Sequence, residues 1–335
     1  MRRSTSQLCC IATLAWLTAT AAQAANPFFA MDNIARGGPD VAPAMLRALG
    51  YDGFGGRALD EIMPPAIAAR GLKFFNGYIV LSLDPAHPAP DGKLQHWLEI
   101  IRGKDTALWV AIREVKRPDG SAHGISAPEA DGFVAAQIRA IADVAASHGV
   151  RVALYPHAGF WLARVEDTMR IADRLNRPDV GVTFNLCHWL KVEGAERDPV
   201  PVLRAALPRL MFVTISGADT GDTRTMSWDR LIQPLDSGSY DLGRFIRQVQ
   251  ATGLHRPRGL PGLQYQSGTA GRPDAEHGRL AQIQSLSPAG PGGGSEATAR
   301  AHEVTATVEW DNPATPTPTR AAAFGFSRCD RRGPN

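Results

Sequence analysis

From residue 27 to residue 264, short β-rich segments take turns with longer amphipathic ones. No other feature of the chain narrows its fold as much, because this is the pattern of successive βαβ units around a parallel sheet. Strands are predicted at 28–32, 51–55, 72–83, 107–113, 150–155, 180–185, 210–216 and 259–264. Helices are predicted between them at 42–49, 59–70, 93–102, 128–148, 162–175, 199–207 and 242–252. The fourth helix is the clearest. Phe133, Ile138, Ile141, Ala142 and Ala145 share a face at helical spacing, Pro128 suits a first turn, and Gly149 supplies the stop. Eight strands with intervening helices predict an α/β chain of the TIM (β/α)8 barrel type rather than an open doubly wound sheet. A dinucleotide-binding GxGxxG after the first strand is missing. Gly53, Gly55 and Gly56 are expected to form a tight βα turn.

The two ends differ from this body. Met1-Arg2-Arg3, an apolar run from Leu8 to Ala22 and the small residues of Ala22-Gln23-Ala24 predict an export signal over residues 1–24, cleaved after Ala24. The mature protein is then expected to be periplasmic or secreted. The run is too short and too interrupted by Thr to span a bilayer, and no later stretch is long and apolar enough to do so. Cys9 and Cys10 leave with the leader, so Cys187 and Cys329 remain, which is no disulfide framework. The formal charge of +3 falls to +1 without Arg2 and Arg3, a near-balance that argues against nucleic acid as a partner. The barrel is expected over 25–264. Residues 265–335 turn to Gly, Pro, Ser, Thr and Ala without Lys, a low-complexity composition that predicts a disordered tail in place of an eighth helix. With 31 Arg to 5 Lys, the chain reads as the product of a GC-rich gene, and a frameshift just after Gln264 would account for that tail.

In barrels of this kind chemistry sits at the C-terminal ends of the strands. Those positions hold Asp32 and Asn33, Asp84, Arg113 and Glu114, His157, Asn185 and His188, Ser216 and Asp219, and Gln264. His157 lies just past strand five among Tyr155, Phe160 and Trp161, and aromatic faces beside a polar head suit a sugar. His188 follows one strand later, so the two imidazoles would share a metal or bracket a proton path. Glu114 is the carboxylate best placed to act as a general base; its rival role is an ion pair with Arg113, Lys116 or Arg117. Asp219 would either cap its own turn or join the histidines on a metal. Cys187 beside His188 reads as a small buried side chain rather than a nucleophile.

Leu49-Gly50-Tyr51-Asp52-Gly53, His148-Gly149-Val150, Tyr155-Pro156-His157, Asn185-Leu186-Cys187-His188 and Gly262-Leu263-Gln264 together resemble the sugar phosphate isomerase/epimerase family, the xylose isomerase-like TIM barrels related to the endonuclease IV group. The resemblance implies a divalent metal held by Glu, Asp, His and Glu on strands five to eight, polarising a sugar while acidic groups move a proton. Here the matching positions are Tyr155, Asn185, Ser216 or Gly217, and Gln264, all neutral. Such donors suit Mg²⁺ or Mn²⁺ poorly. His157 and His188 remain for a softer ion such as Zn²⁺, with Asp219 or Glu114. The expectation is an exported enzyme acting on a small-molecule carbohydrate, with Glu114, His157 and His188 catalytic. Asp32, Tyr155, Trp161, Asn185, Lys191 and Gln264 would bind substrate. Its cofactor is left open, a divalent metal being possible although the usual carboxylate ligands are absent. The rivals are a metal-free sugar-binding barrel without turnover and a sugar lyase on the same scaffold. A DNA-repair endonuclease conflicts with the leader, the charge and the missing carboxylates.

Overall fold

The computed structural model describes residues 27–32, 38–86 and 92–252, and the backbone of 265–267. Eight parallel strands close into a barrel in sequence order: β1 (Phe28–Met31), β2 (Gly53–Arg57), β3 (Lys73–Leu83), β4 (Ala107–Val115), β5 (Arg151–Leu154), β6 (Val180–Asn185), β7 (Leu210–Thr214) and β8 (Tyr265–Ser267). The helices are α1 (Gly38–Ala48), α2 (Met63–Ala69), α3 (Gly92–Ile101), α4 (Asp131–Ser147), α5 (Val165–Leu175), α6 (Leu186–Glu193), α7 (Val200–Ala206), α8 (Trp228–Leu231) and α9 (Leu242–Ala251). None of the described helices is long and apolar enough to cross a membrane.

Strand alternation divides the apolar residues between two cores. Phe29, Met31, Phe75, Ala107, Trp109, Ala153, Met211 and Phe212 fill the barrel. Leu108, Val110, Ile112, Val152, Leu154, Val180 and Val182 point outward against the helices. The buried stripe of α4 supplies Val134, Ile138, Ile141, Ala142 and Ala145, and Gly149 ends it at φ +69°. Of the five residues read from periodicity, Phe133 alone lies at the margin of that stripe.

Three expectations are corrected. The closing strand that is described lies at 265–267 and pairs with both β1 and β7, so the barrel extends past Gln264, while residues 259–264 of the expected strand lie outside the described residues. The glycines of β2 form no turn; they lie within the strand. A Cβ on Gly55 would stand 2.2 Å from Asn76 Oδ1 and 2.7 Å from Met31 Sδ, so glycine is what lets neighbouring strands fill the barrel there. A further helix, α6, follows directly on β6 where a loop was expected. The leader, Asn33, Gln264, Cys329 and the tail beyond Ser267 lie outside the described residues.

Candidate active site

The ends of β5 and β6 are joined by a hydrogen-bond network that leaves little freedom to its members. Asn185 ends β6 and caps α6: its Oδ1 accepts from the backbone N–H of His188 at 3.3 Å and from Cys187 Sγ at 2.9 Å. A backbone N–H can only donate, so the amide orientation is fixed. Its Nδ2 then faces Tyr155 Oη at 3.3 Å. His188, buried in the first turn of α6, accepts from the backbone N–H of Ala158 on Nδ1 at 3.4 Å. The neutral ring therefore carries its hydrogen on Nε2, which lies 3.1 Å from Tyr155 Oη. Burial, then the neighbouring His157, hold His188 well below the usual imidazole range. Burial also pushes the Cys187 thiol up to about 12, which keeps it protonated and inert.

His157 is poised differently. Its Nδ1 lies 3.0 Å from the Ala158 carbonyl, so Nδ1–H donates there and Nε2 keeps its lone pair. Burial foremost, with the charge of Arg113 acting the same way, lowers its pKa to about 4 even though the Ala158 bond opposes them. The ring stacks on Phe160 at 3.9 Å and meets His188 at 3.9 Å, tilted by 40°. Beyond Phe160 lies the Arg113 guanidinium, at 5.4 Å. Trp228 lies edge-on to His188 at 5.2 Å and 6.4 Å from His157, with Lys191 Nζ 5.6 Å over its indole. Arg113, Phe160, His157, His188, Trp228 and Lys191 thus form one ladder drawn from the segments at the ends of β4, β5, β6 and β7.

Across the mouth, the Tyr78 hydroxyl donates to Asp32 Oδ2 at 3.2 Å and accepts from Arg57 Nε at 3.2 Å. Burial and the Asp32 charge raise this phenol to about 12. Burial foremost also holds the Tyr155 phenol well above its ordinary range, and Tyr78 and Tyr155 both pack against the cluster that fills the barrel. Glu114 enters through a bulge in β4: Leu81 pairs with Ile112 but Ser82 with Glu114, which leaves Arg113 as the extra residue. Arg113 is exposed there and Glu114 half-buried. The suggested ion pairs of Glu114 do not form: Lys116 bonds Asp84 at 3.1 Å and Arg117 approaches Glu129 at 3.8 Å. Among the described residues Glu114 is half-buried with no ion-pair partner.

Trp161 is not a substrate platform; it is 1% exposed within the outer core, and the rings that reach the site are Phe160 and Trp228. Lys191 is at the site but donates to the Met226 carbonyl. Asp219 is held elsewhere, by Arg230 Nε at 2.8 Å and the Ser239 N–H at 3.3 Å. The trio of His157, His188 and Asp219 is therefore not assembled, and among the described residues no three His, Cys, Asp or Glu side chains gather as a metal site. The inherited metal does not fit either. Tyr155, Asn185 and His188 spend their donor atoms on one another, and Ser216 Oγ donates to the Leu231 carbonyl at 3.1 Å. Gln264 precedes β8, whose C-terminal residue is Ser267.

Sequence reasoning missed Tyr78, Arg57, Trp228 and Asn76, whereas Phe160 was read among the aromatics around His157. Tyr78 stands mid-strand and Trp228 opens the one-turn helix α8, so neither carried a strand-end signal. Asn76 is fully buried in the barrel, and neither amide atom has a hydrogen-bond partner among the described residues.

Residues 45–276 match the family described as xylose isomerase-like TIM barrel. No curated protein matches the chain. Among solved structures it is similar to 3-keto-D-glucoside 4-epimerase YcjR from E. coli, at 16% identity and a TM-score of 0.56, over 78% of this chain and 100% of that one. D-allulose 3-epimerase from Methylomonas sp. in complex with D-allulose aligns at 16% identity and a TM-score of 0.52, over 78% and 96%. The IOLI protein with a binding zinc atom aligns at 12% identity and a TM-score of 0.59, over 77% and 98%.

Proposed function

Because the chain belongs to the xylose isomerase-like TIM barrel family, we propose that it is an exported carbohydrate isomerase or epimerase that moves a proton at a carbon beside a sugar carbonyl. One observation carries this reading: His157 is neutral, with Nδ1–H committed to the Ala158 carbonyl and Nε2 left as an acceptor. A neutral imidazole with one oriented lone pair is a general base. The Phe160 and Trp228 rings beside it add apolar surface next to the polar imidazole, a mixture that suits a sugar. Several neighbours of the same fold bear the names of sugar epimerases, one of them holding D-allulose, which supports a sugar as ligand.

In the proposed step the C–H bond beside the carbonyl breaks and its proton goes to His157 Nε2. The electron pair forms the enediol double bond while the former carbonyl oxygen gains a proton. Returning the carbon-bound proton to the former carbonyl carbon, while the neighbouring enediol hydroxyl gives up its proton to become the new carbonyl, gives isomerisation. Epimerisation instead needs a second proton carrier on the opposite face, the role assigned to Glu114. His188 takes no direct part, since its Nε2–H is directed at Tyr155.

Incubation of the protein with a panel of keto-sugars in D2O tests this by proton NMR. Deuterium should enter at the carbon beside the carbonyl, and His157→Gln should slow entry by about 100-fold, the low end of what a positioned general base contributes. Binding of a sugar without exchange would overturn the reading in favour of a sugar-binding barrel.

A further inference from the structure

The hydrogen bonds around Tyr155 determine where its own hydrogen goes. Oη has two lone pairs and one hydrogen. One lone pair receives His188 Nε2–H at 3.1 Å, a direction set by the Ala158 N–H on Nδ1. The other receives Asn185 Nδ2–H at 3.3 Å, a direction set by the His188 backbone N–H on Oδ1. Two backbone amides, which cannot reverse, thus impose donation on both neighbours. Tyr155 Oη is filled as an acceptor, and among the described residues its O–H has no acceptor. Trp109 covers one side of the ring at 5.3 Å. Tyr155 follows the last residue of β5 and packs, like Tyr78, against the cluster that fills the barrel, so the remaining direction is the barrel mouth.

We propose that the Tyr155 O–H is a preorganised hydrogen donor for the carbonyl oxygen of the sugar, performing the polarisation that a divalent metal would otherwise supply. This rests on the proton-transfer reading above and deepens it. As His157 Nε2 takes the carbon-bound proton, negative charge builds on the carbonyl oxygen. Tyr155 donates to that oxygen, and its phenol hydrogen passes across as the enediol forms and returns when the carbonyl is restored. His188 and Asn185, by donating to Oη, stabilise the phenolate-like charge that develops on it during the transfer. They are positioning residues. A neutral phenol suits this task where a cation does not, because no carboxylate at the ends of β5 and β6 offsets a metal's charge.

Two measurements decide it. In the sugar-free protein, 15N NMR of the imidazoles should show His188 protonated on Nε2; protonation on Nδ1 would overturn the proposal whatever the activity. In the D2O exchange assay, Tyr155→Phe should reduce kcat by about 100- to 1000-fold with KM changed far less, the effect expected for losing one donor to a developing oxyanion. Wild-type exchange should survive dialysis against EDTA. Loss of exchange on chelation with recovery on adding Zn²⁺ or Mn²⁺, or a folded Tyr155→Phe protein with unchanged kcat, would overturn it. If Tyr155→Phe fails to fold, Asn185→Asp is the second variant, since it keeps the cap but removes one donor to Oη. A fall in its kcat at constant KM supports the proposal and an unchanged kcat overturns it. Should no keto-sugar exchange in the wild type, the isomerase reading falls with the catalytic part of this proposal, and Nε2 protonation of His188 still supports the oriented donor.

Discussion

Protonating His157 means placing a charge in a largely buried ring stack with Arg113 close by, and the consequence is a defined pH window. Its folded pKa of about 4 lies below the ordinary imidazole value of 6.5. Between those values the unfolded chain binds the proton and the folded one does not, so folding stability rises with pH across about 4 to 6.5 and is lost as pH falls through that range. Above it the group contributes no pH dependence. Exchange activity should follow the folded value: a log–log profile of kcat/KM should climb with unit slope below about 4 and level off above it. A break near 6.5 would instead place His157 in open solvent. Trp228 is 39% exposed and packs on His188 rather than in the core. Trp228→Ala should weaken sugar binding by about tenfold while leaving the melting temperature nearly unchanged, as calorimetry would read. His157 and His188 were legible in the sequence because they follow strands closely. Tyr78, Arg57 and Trp228 were not, since the Tyr78–Arg57 contact depends on strand pairing and Trp228 sits in a helix of one turn, too short for periodicity to mark.

At the scale of elements, the cap on α6 and the packing of β2 give two separable tests. Asn185→Ala removes the cap and leaves the Cys187 and His188 donors without their acceptor, so it should cost about 1 kcal/mol, measured by urea denaturation. Asn185→Asp keeps an oxygen at the same place and should cost less. Gly55→Ala pushes a methyl against Asn76 and Met31 inside the barrel and should destabilise by about 1–3 kcal/mol, a drop of several degrees in thermal melting. Seven of the eight strands fall where alternation of apolar segments put them, because each must bury one face on the helices and one in the barrel. The eighth reaches past Gln264, where apolar character was taken to end. Helix α6 was hidden because Phe184 through Trp189 is apolar enough to read as the end of a strand, and only the Asn185 cap marks the change of period. The β4 bulge left no sequence signature at all, yet it sets the positions of both Arg113 and Glu114.

For the molecule as a whole, the leader and the barrel make independent claims. Protein recovered from outside the cytoplasm should begin at Ala25, which N-terminal sequencing would read directly; an intact Met1 in that fraction would remove the export proposal. The barrel itself was the most legible level, because repetition averages over local errors in a way that a single site does not allow. Its functional end is less a set of separate loops than one stack of rings running from Arg113 to Lys191, each member resting on a residue from the neighbouring βα unit. Specificity in such a mouth is inherited in blocks. Transplanting one of these loops from a relative would break at least one contact to a neighbouring loop, so new substrate preferences should arise either from exchange of the whole β4–β7 half-turn of loops or from the Asp32, Arg57 and Tyr78 side, where no ladder has to be preserved.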